Sequence, residues 1–282
     1  MRTGLPLIAA TAALLLFSCE KERSFDPNNN TPGGNVGSGL LDRTVTKFGT
    51  DSITTSYEYD AQKRLVLYKS GGMFLGTSGE VQLKFVRNAQ GIIQKSILKT
   101  DFFASLGIDS IVRLVHYDVS KARYTSMVAA YFDGSDDVQD STVFTYNAAG
   151  KITGVEYFYD YATGTYQKDG KSEYTYDAAG NVSKEKNYGY NGGAYEAYDE
   201  SVYEFDNKIN PIFLGNEGFV LGDIITFSPN NQTKKTYTDF IDPSANAVAT
   251  SVYTYNTNNK PATAAQSDQS FPLPFATTYY YK

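Results

Sequence analysis

The residue types that most often perform catalysis are sparse in this chain of 282 residues. His116 is the single histidine, so a catalytic triad would depend on it alone, and a metal site with several histidines is excluded. Its place in the polar column of an aromatic repeat favours a solvent-facing sheet position.

The acidic run from Asp133 to Asp140 invites a calcium interpretation, because hard cations require several oxygen ligands. Read as an EF-hand loop, it has Val138 in place of glycine and Phe144 in place of the bidentate glutamate. An exposed connecting loop is the better interpretation, with a calcium site of irregular geometry as the alternative, and we predict no metal centre.

Carboxylates are numerous, and two at a suitable separation would suffice for glycoside hydrolysis. Asp and Glu together number 31, yet no pair stands out by its position. Glu196, Asp199 and Glu200, for example, all lie in an ordinary strand approach. We therefore predict a protein without enzymatic activity or cofactor, and keep a carbohydrate-active enzyme with unrecognised carboxylates as the competing class.

Tyrosine is the residue with the clearest binding chemistry in this sequence. The chain has 24 Tyr and 17 Phe but no Trp. The stretches "YFYDY" at Tyr157 and "YGYNGGAYEAY" at Tyr188 place aromatic rings on both faces of their strands. An aromatic face flanked by Asp and Asn suits stacking against a sugar ring, although the curled sheet or its loops could instead cover the second face. The candidate ligand-stacking residues are Tyr157, Tyr159, Tyr161, Tyr188, Tyr190, Tyr195 and Tyr198.

These tyrosines belong to a repeat. "YTYDAAGNV" at Tyr174 has seven further aligned copies, and the first six copies of the series start 28 to 30 residues apart. A fixed period indicates one supersecondary unit per copy. The copies begin at Tyr57, Phe85, Val115, Phe144, Tyr174, Tyr203, Ile225 and Tyr253, and a half-copy begins at Tyr279.

Each copy has the chemistry of a β-hairpin. Two aromatics separated by one residue point to the same face of a strand. Asp or Asn then opens a turn, and the fourth position is glycine in the best copies, which predicts a type I turn closed by a left-handed residue. In the last three copies Ile209, Asn231 and Asn259 stand at this position, so their hairpins are expected to differ. The aliphatic residue that follows begins the return strand.

The repeats predict an all-β domain over residues 42–282. Eight hairpins and a terminal strand give a long antiparallel meander of about 16–17 strands. Because an open twisted sheet rarely exceeds about ten strands, we expect it to curl into a wide barrel-like or spiral sheet. One face carries an aromatic ladder, and the column between the aromatics is mainly polar, which indicates the solvated side.

The N-terminus has the features of an export signal. A basic residue at Arg2 precedes an apolar stretch from Leu7 to Phe17, which is too short to span a bilayer as a helix. "LFSC" resembles the lipobox of bacterial lipoproteins, which implies cleavage after Ser18 and acylation of Cys19, the only cysteine. The alternative is an ordinary secretory peptide. Residues 19–41 have the composition of a flexible tether. The net charge of −6, without a cluster of basic residues, argues against nucleic acid as a partner.

The motifs "YDAAG", "YNAAG" and "YDAQK" resemble the YD repeat of RHS-type proteins. With a lipobox in front and about eight units, the chain is more similar to small YD-repeat lipoproteins of gut-commensal Gram-negative bacteria. That family has no assigned function or catalytic residues, and its sheet is described as porin-like. The resemblance covers residues 42–282 and implies an outer-membrane location.

Three triplets, "DSI" at Asp51, "DSI" at Asp109 and "DST" at Asp140, resemble the O-glycosylation acceptor of exported proteins in that bacterial group. They make Ser52, Ser110 and Thr142 candidate modification sites, unless these triplets are simply the beginnings of strands.

We predict an outer-membrane lipoprotein, on the periplasmic face or the cell surface, that binds or scaffolds a glycan or a protein. A transmembrane-type barrel is a further alternative, which charges such as Lys84 and Arg87 disfavour.

Overall fold

The protein is a closed antiparallel β-barrel. The computed structural model describes residues 39–105, 107–132, 137–161, 164–271 and 273–282. Every strand pairs with its neighbours in sequence, and β1 pairs with β16, so the expected all-β meander is confirmed and its sheet is closed. The sixteen strands are β1 Leu41–Phe48, β2 Asp51–Tyr59, β3 Leu65–Phe74, β4 Thr77–Arg87, β5 Ile93–Thr100, β6 Ile111–Asp118, β7 Arg123–Phe132, β8 Asp137–Tyr146, β9 Ile152–Tyr161, β10 Gln167–Tyr176, β11 Val182–Asn191, β12 Ala194–Ile209, β13 Asn230–Asp239, β14 Ala247–Tyr255, β15 Pro261–Asp268 and β16 Phe275–Tyr281.

The repeat turns lie together at one end of the barrel, which we call the turn end. In each well-formed copy the Asp or Asn side chain accepts hydrogen bonds from the backbone N–H groups two and four residues later. Asn147 Oδ1, for example, accepts from Ala149 N and Lys151 N, both at 3.0 Å. The fourth residue has a positive φ, +75° at Gly150 and +92° at Gly180. The predicted turn chemistry is therefore confirmed. In the eighth copy Asn259 adopts the same conformation at φ +58°, so the expectation that this hairpin differs is wrong.

The two aromatics of a repeat unit share the inner face of the barrel. Tyr57 and Phe144 are buried there, and the second aromatic of each unit packs against the same core. The second tyrosine also joins neighbouring repeats: the Tyr176 hydroxyl donates to the Ile152 carbonyl at 2.7 Å, and the Tyr146 hydroxyl donates to the Tyr124 carbonyl at 2.7 Å. The spacing of about 29 residues thus places these two hydroxyls against the return strand of the preceding unit, whereas the Tyr255 hydroxyl donates to Asp206.

The sixth and seventh repeat copies do not form separate hairpins, because β12 continues through the predicted turn position Ile209 of the sixth copy. The copy that begins at Ile225 lies within residues 210–229, which connect β12 to β13 and contain two 3-10 helices, Gly215–Val220 and Ile224–Phe227. The prediction of a hairpin there is wrong, and the strand number is accordingly sixteen. We call residues 210–229 the inner segment, because its side chains contact the inner faces of strands on several sides of the barrel.

The inner segment fills part of the lumen. Phe219 lies 5.1 Å from the Tyr124 ring on β7 and 4.6 Å from the Phe144 ring on β8, measured between ring centroids. Phe227 lies 5.8 Å from the Tyr174 ring on β10. A ring of sixteen strands encloses more space than its own side chains can fill, and the segment supplies the missing apolar core.

The other end of the barrel carries the remaining connections. One of them includes a short helix, α1, Asp101–Ser105, whose Phe103 is buried. Four phenylalanines from β1, β3 and β16 and the turn before β16 pack together there; Phe48 and Phe74 are 4.9 Å apart and Phe271 and Phe275 are 5.0 Å apart. None of the helices in the described ranges has the length and apolar character needed to cross a bilayer.

Candidate functional site

Three of the predicted stacking tyrosines meet on the outer wall of the barrel. Tyr188 and Tyr190 on β11 and Tyr195 on β12 form a half-buried group, in which the Tyr190 and Tyr195 rings meet edge to face at 5.1 Å. Strand register places Lys171 of β10 beside Tyr188. We call these three tyrosines with Lys168, Lys171 and Lys186 the tyrosine–lysine surface.

Each lysine of this surface lies over an aromatic ring. Lys171 Nζ is 4.5 Å from the centroid of Tyr188 and 5.1 Å from that of Tyr195. Lys168 Nζ is 5.1 Å from the centroid of Tyr195, and Lys186 Nζ is 5.7 Å from that of Tyr188. Cation–π contacts of this kind hold both the rings and the ammonium groups in place. The surface is therefore organised before any ligand arrives.

Two glutamates anchor the tyrosine hydroxyls. Tyr188 donates to Glu173 at 2.8 Å, and Tyr195 donates to Glu156, which also accepts from Lys168 at 2.7 Å. Burial and the Glu173 carboxylate raise the pKa of Tyr188 to about 12. The hydrogen bond from Lys171 lowers the pKa of Glu173. The surface thus offers aromatic edges, ammonium groups and carboxylates within a few ångströms, which is the mixture that recognises polar ring compounds.

The other predicted stacking tyrosines do not join this surface. Tyr157 and Tyr159 on β9 project to the inner face, as the register of β9 with β8 and β10 requires. The Tyr157 hydroxyl lies 3.2 Å from Ser172 Oγ. Tyr198 sits at a bulge in β12, and its ring lies next to Gly189 on the inner side of the sheet. The side chain of Tyr161 lies outside the described residues. The two tyrosine clusters are therefore divided between the two faces of the sheet.

The lumen contains a group of carboxylates that the sequence did not single out. Glu185 accepts a hydrogen bond from Tyr203 at 2.8 Å, and Asp199 accepts one from Asn187 at 2.8 Å. Burial raises the pKa of Glu185, and the charges of Asp199 and Asp223 act in the same direction. Burial also raises the pKa of Asp199 and that of Asp223. Strand alternation places Glu185 and Asp199 on the inner face, whereas Asp223 belongs to the inner segment, where it caps the 3-10 helix Ile224–Phe227.

A buried ion pair attaches the inner segment to the barrel. Both terminal nitrogens of Arg87 donate to Glu217, at 2.7 and 2.8 Å, and the Tyr124 hydroxyl donates to the same carboxylate at 2.8 Å. Arg87 occupies the second aromatic position of its repeat and also donates to the Leu65 carbonyl at 3.1 Å. The sequence named Arg87 only as a charge that disfavours a lipid-facing wall, whereas its side chain is buried and faces the lumen, so it does not bear on that question. Its partner, 130 residues away, was not predictable from the repeat.

The remaining predicted sites are dispersed. His116 lies exposed on the outer face of β6, as expected. Ser52 is half-buried on the outer face of β2, and Ser110 precedes β6. Thr142 is buried on the inner face, so a glycan on it would have to be attached before the barrel closes. Among the residues that the structure describes, no three His, Cys, Asp or Glu side chains are grouped to hold a metal ion. Residues 133–136 of the acidic run, and Cys19, lie outside the described residues.

These features define a closed 16-stranded β-barrel with an internal segment and an aromatic outer surface. Two solved structures have a similar fold, and both are described as porin-like proteins. The protein from Bacteroides uniformis ATCC 8492 is 10% identical with a TM-score of 0.53, over 86% of this chain and 98% of that one. The protein from Bacteroides vulgatus ATCC 8482 is 11% identical with a TM-score of 0.52, over 87% and 99%. At such identities the similarity concerns the fold alone. No protein-family model matches the chain, and no curated protein matches it.

Proposed function

We propose that this protein is a non-enzymatic envelope lipoprotein that binds a glycan through the tyrosine–lysine surface. The observation that carries the proposal is the arrangement of Tyr188, Tyr190 and Tyr195 on the outer wall, where lysines and glutamates fix the rings. Acylation of Cys19 would hold this surface near the outer membrane, in agreement with the porin-like fold of the neighbours from Bacteroides. A protein ligand is the alternative partner at the same surface.

A glycan array probed with the purified protein tests this proposal. Saturable binding to a subset of glycans is expected, and Tyr190→Ala should weaken it about fivefold or more, because loss of one stacked ring costs roughly 1 kcal/mol or more. Tyr280→Ala is the matched control: Tyr280 is a half-buried tyrosine on β16 whose ring lies 4.2 Å from the Arg43 guanidinium carbon, far from the surface. Equal losses from the two changes, or no binding across the array, would contradict glycan recognition here.

A transmembrane-type barrel is a second candidate, because the sheet closes and its neighbours are porin-like. Ion pairs on the outer wall weigh against it, for example Lys184–Glu200 and Lys234–Glu204, since lipid-facing charges destabilise such barrels. The inner segment, attached by the Arg87–Glu217 pair, also occupies part of the lumen. We expect the barrel to stay soluble without detergent and to give no conductance in planar bilayers. Stable single-channel steps would favour this second candidate.

The lumen carboxylates are the candidates for an enzymatic site, since burial raises the pKa values of Glu185, Asp199 and Asp223. A hydrolysis screen with the wild-type protein and Glu185→Gln separates this class from simple binding. Product formation that is lost in Glu185→Gln would replace the binding proposal with catalysis. We expect no turnover from either protein.

A further inference from the structure

The outer wall of β5–β8 differs from the rest of the barrel. Strand register places outward-facing apolar side chains next to one another on these strands: Ile97 beside Val112, and Leu114 beside Val128. Val143 of β8 continues the group beyond Ser126 of β7. Leu114 is 53% exposed, Val112 36% and Val143 37%. We call these five residues the apolar wall.

Two lysines at the edge of the apolar wall lack a carboxylate partner. Lys84 of β4 pairs in register with Ile97, and Lys95 of β5 pairs with Leu114. Within the described residues neither lysine takes part in an ion pair, in contrast to Lys168, Lys184 and Lys234 on the outer wall, which pair with Glu156, Glu200 and Glu204. Two positive charges without an ion-pair partner among the described residues therefore lie beside the exposed apolar residues.

We propose that the apolar wall, with Lys84 and Lys95, is the face by which the barrel rests on an anionic phospholipid surface. Aliphatic side chains on a convex wall gain free energy when they enter the headgroup region, about 25 cal/mol for each Å² of apolar area removed from water. Lysine stems extend along such a surface while their ammonium groups contact lipid phosphates. Neither a neutral sugar nor a basic partner offers this combination of apolar and anionic contacts.

The dimensions of the wall suit this contact. From β4 to β8 there are four strand spacings of about 4.8 Å, so the wall is about 19 Å wide. Val252 on β14 is 72% exposed, but five strands separate it from the wall in one direction around the ring and six in the other. Exposed apolar residues that occur singly need no partner, whereas a contiguous group beside unpaired charge indicates an interaction site.

The inference rests on the proposed membrane anchoring for its setting. Lys260 of the eighth turn donates to the Gly39 carbonyl, so the chain enters the barrel at the turn end. About twenty residues between Cys19 and the barrel reach at most roughly 70 Å, which exceeds the barrel width of about 32 Å expected for sixteen tilted strands. An acylated Cys19 would therefore allow the wall to meet the same membrane.

Flotation with lipid vesicles tests the proposal without the acyl chain. The chain from residue 20 onward contains all sixteen strands and the inner segment, and it cannot be acylated at Cys19. It is mixed with vesicles of phosphatidylcholine alone or with about one third phosphatidylglycerol. We expect flotation with the anionic vesicles and little with the neutral ones, and a decrease as salt is raised.

Paired variants identify the face that binds. Lys84→Gln with Lys95→Gln should weaken binding to anionic vesicles about twentyfold, since each lysine near such a surface contributes a factor of about five. Lys184→Gln with Lys234→Gln changes the net charge equally on the other wall and should have little effect. Leu114→Ser should weaken binding, and Val252→Ser should not.

The proposal would be overturned if the wild type did not float with vesicles, or if the two lysine pairs had equal effects. It would also be overturned if soluble dextran sulfate bound as tightly as the vesicles and Leu114→Ser did not change that binding. The last result would assign the face to a polyanion. The glycan experiment uses Tyr190 on a different wall. Absence of glycan binding would therefore contradict the proposed function, whereas absence of vesicle binding would contradict only the membrane-facing role of the apolar wall.

Discussion

At the scale of single residues, tyrosine hydroxyls and buried carboxylates dominate the energetics. The second tyrosine of a repeat uses its ring for the core and its hydroxyl for a backbone carbonyl of the preceding unit, as Tyr176 does with Ile152. In the second repeat Arg87 takes over the same carbonyl contact and adds the ion pair to Glu217. An exchange of tyrosine for arginine at this one repeat position therefore adds an ion pair that attaches the inner segment within the lumen.

Tyr176→Phe should destabilise the barrel by about 1 kcal/mol, because it removes a hydrogen bond and leaves the Ile152 carbonyl without this donor. Chemical denaturation followed by circular dichroism gives the free energy of unfolding. Tyr190→Phe is the control, since the described contacts of Tyr190 involve its ring and not its hydroxyl. A loss in the control as large as that in Tyr176→Phe would show that the carbonyl contact is not the cause.

Glu185→Gln should make the protein more stable at pH 7 and leave it unchanged near pH 4. Burial raises the folded-state pKa of Glu185 above its unfolded value of about 4.3, so the native state binds the proton more tightly and stability falls as pH rises from that value through the folded pKa. Glutamine resembles the protonated acid and can still accept from Tyr203. Thermal unfolding at both pH values measures the difference, with Glu204→Gln on the outer wall as control. An equal effect at pH 4 and pH 7 would rule out this linkage.

At the scale of elements, local contacts hold the repeat turn, whereas contacts with residues distant in sequence hold the inner segment. The turn is local: one Asp or Asn side chain and a left-handed fourth residue close it in copy after copy. The inner segment is held by distant residues, since Val182 N donates to Ser228 Oγ at 3.0 Å and Asn216 donates to the Gly150 carbonyl at 2.7 Å. Its conformation therefore depends on a barrel that has already formed around it.

Phe219→Ala should cost about 3–5 kcal/mol of unfolding free energy, because the ring is buried against Tyr124 and Phe144 and its loss leaves a cavity. Phe213→Ala is the matched control in the same segment, where the ring is 47% exposed, and its cost should stay below about 1 kcal/mol. Urea denaturation of both variants makes the comparison. Similar costs for the two would mean that the segment does not occupy the lumen in solution.

At the scale of the whole molecule, closure by β1 and β16 removes both edges of the sheet. The register joins Leu41 to Tyr281 and Thr44 to Tyr279, and the Thr46 and Thr277 hydroxyls lie 2.9 Å apart. An open sheet of this length would present unpaired backbone groups along β1 and β16, which promote association. The barrel is therefore expected to unfold as one unit.

Removal of residues 275–282 should make the protein aggregate, since it deletes β16 and exposes two long edges. Size-exclusion chromatography and circular dichroism measure the outcome. Lys282→Ala, which loses the side-chain contacts to Asp42 and the Tyr57 carbonyl but keeps the strand, should remain monomeric. A monomeric, folded truncation would show that the sheet is stable when open.

The sequence alone determined the hairpins. Alternating aromatics, an Asp or Asn at the turn and a left-handed fourth residue are local signals, and they gave the all-β meander, the shared face of the ring pairs and the turn geometry. Only the tertiary structure decided that the ring closes at sixteen strands, that the copy at Ile225 leaves the sheet, and that Arg87 meets Glu217. Tyr157 faces the lumen while Tyr188 faces outward because they lie opposite adjacent residues of β10, Gly170 and Lys171, whose side chains point to opposite faces. These outcomes depend on how much space a closed barrel encloses and which segment fills it, and that is a property of the assembled sheet.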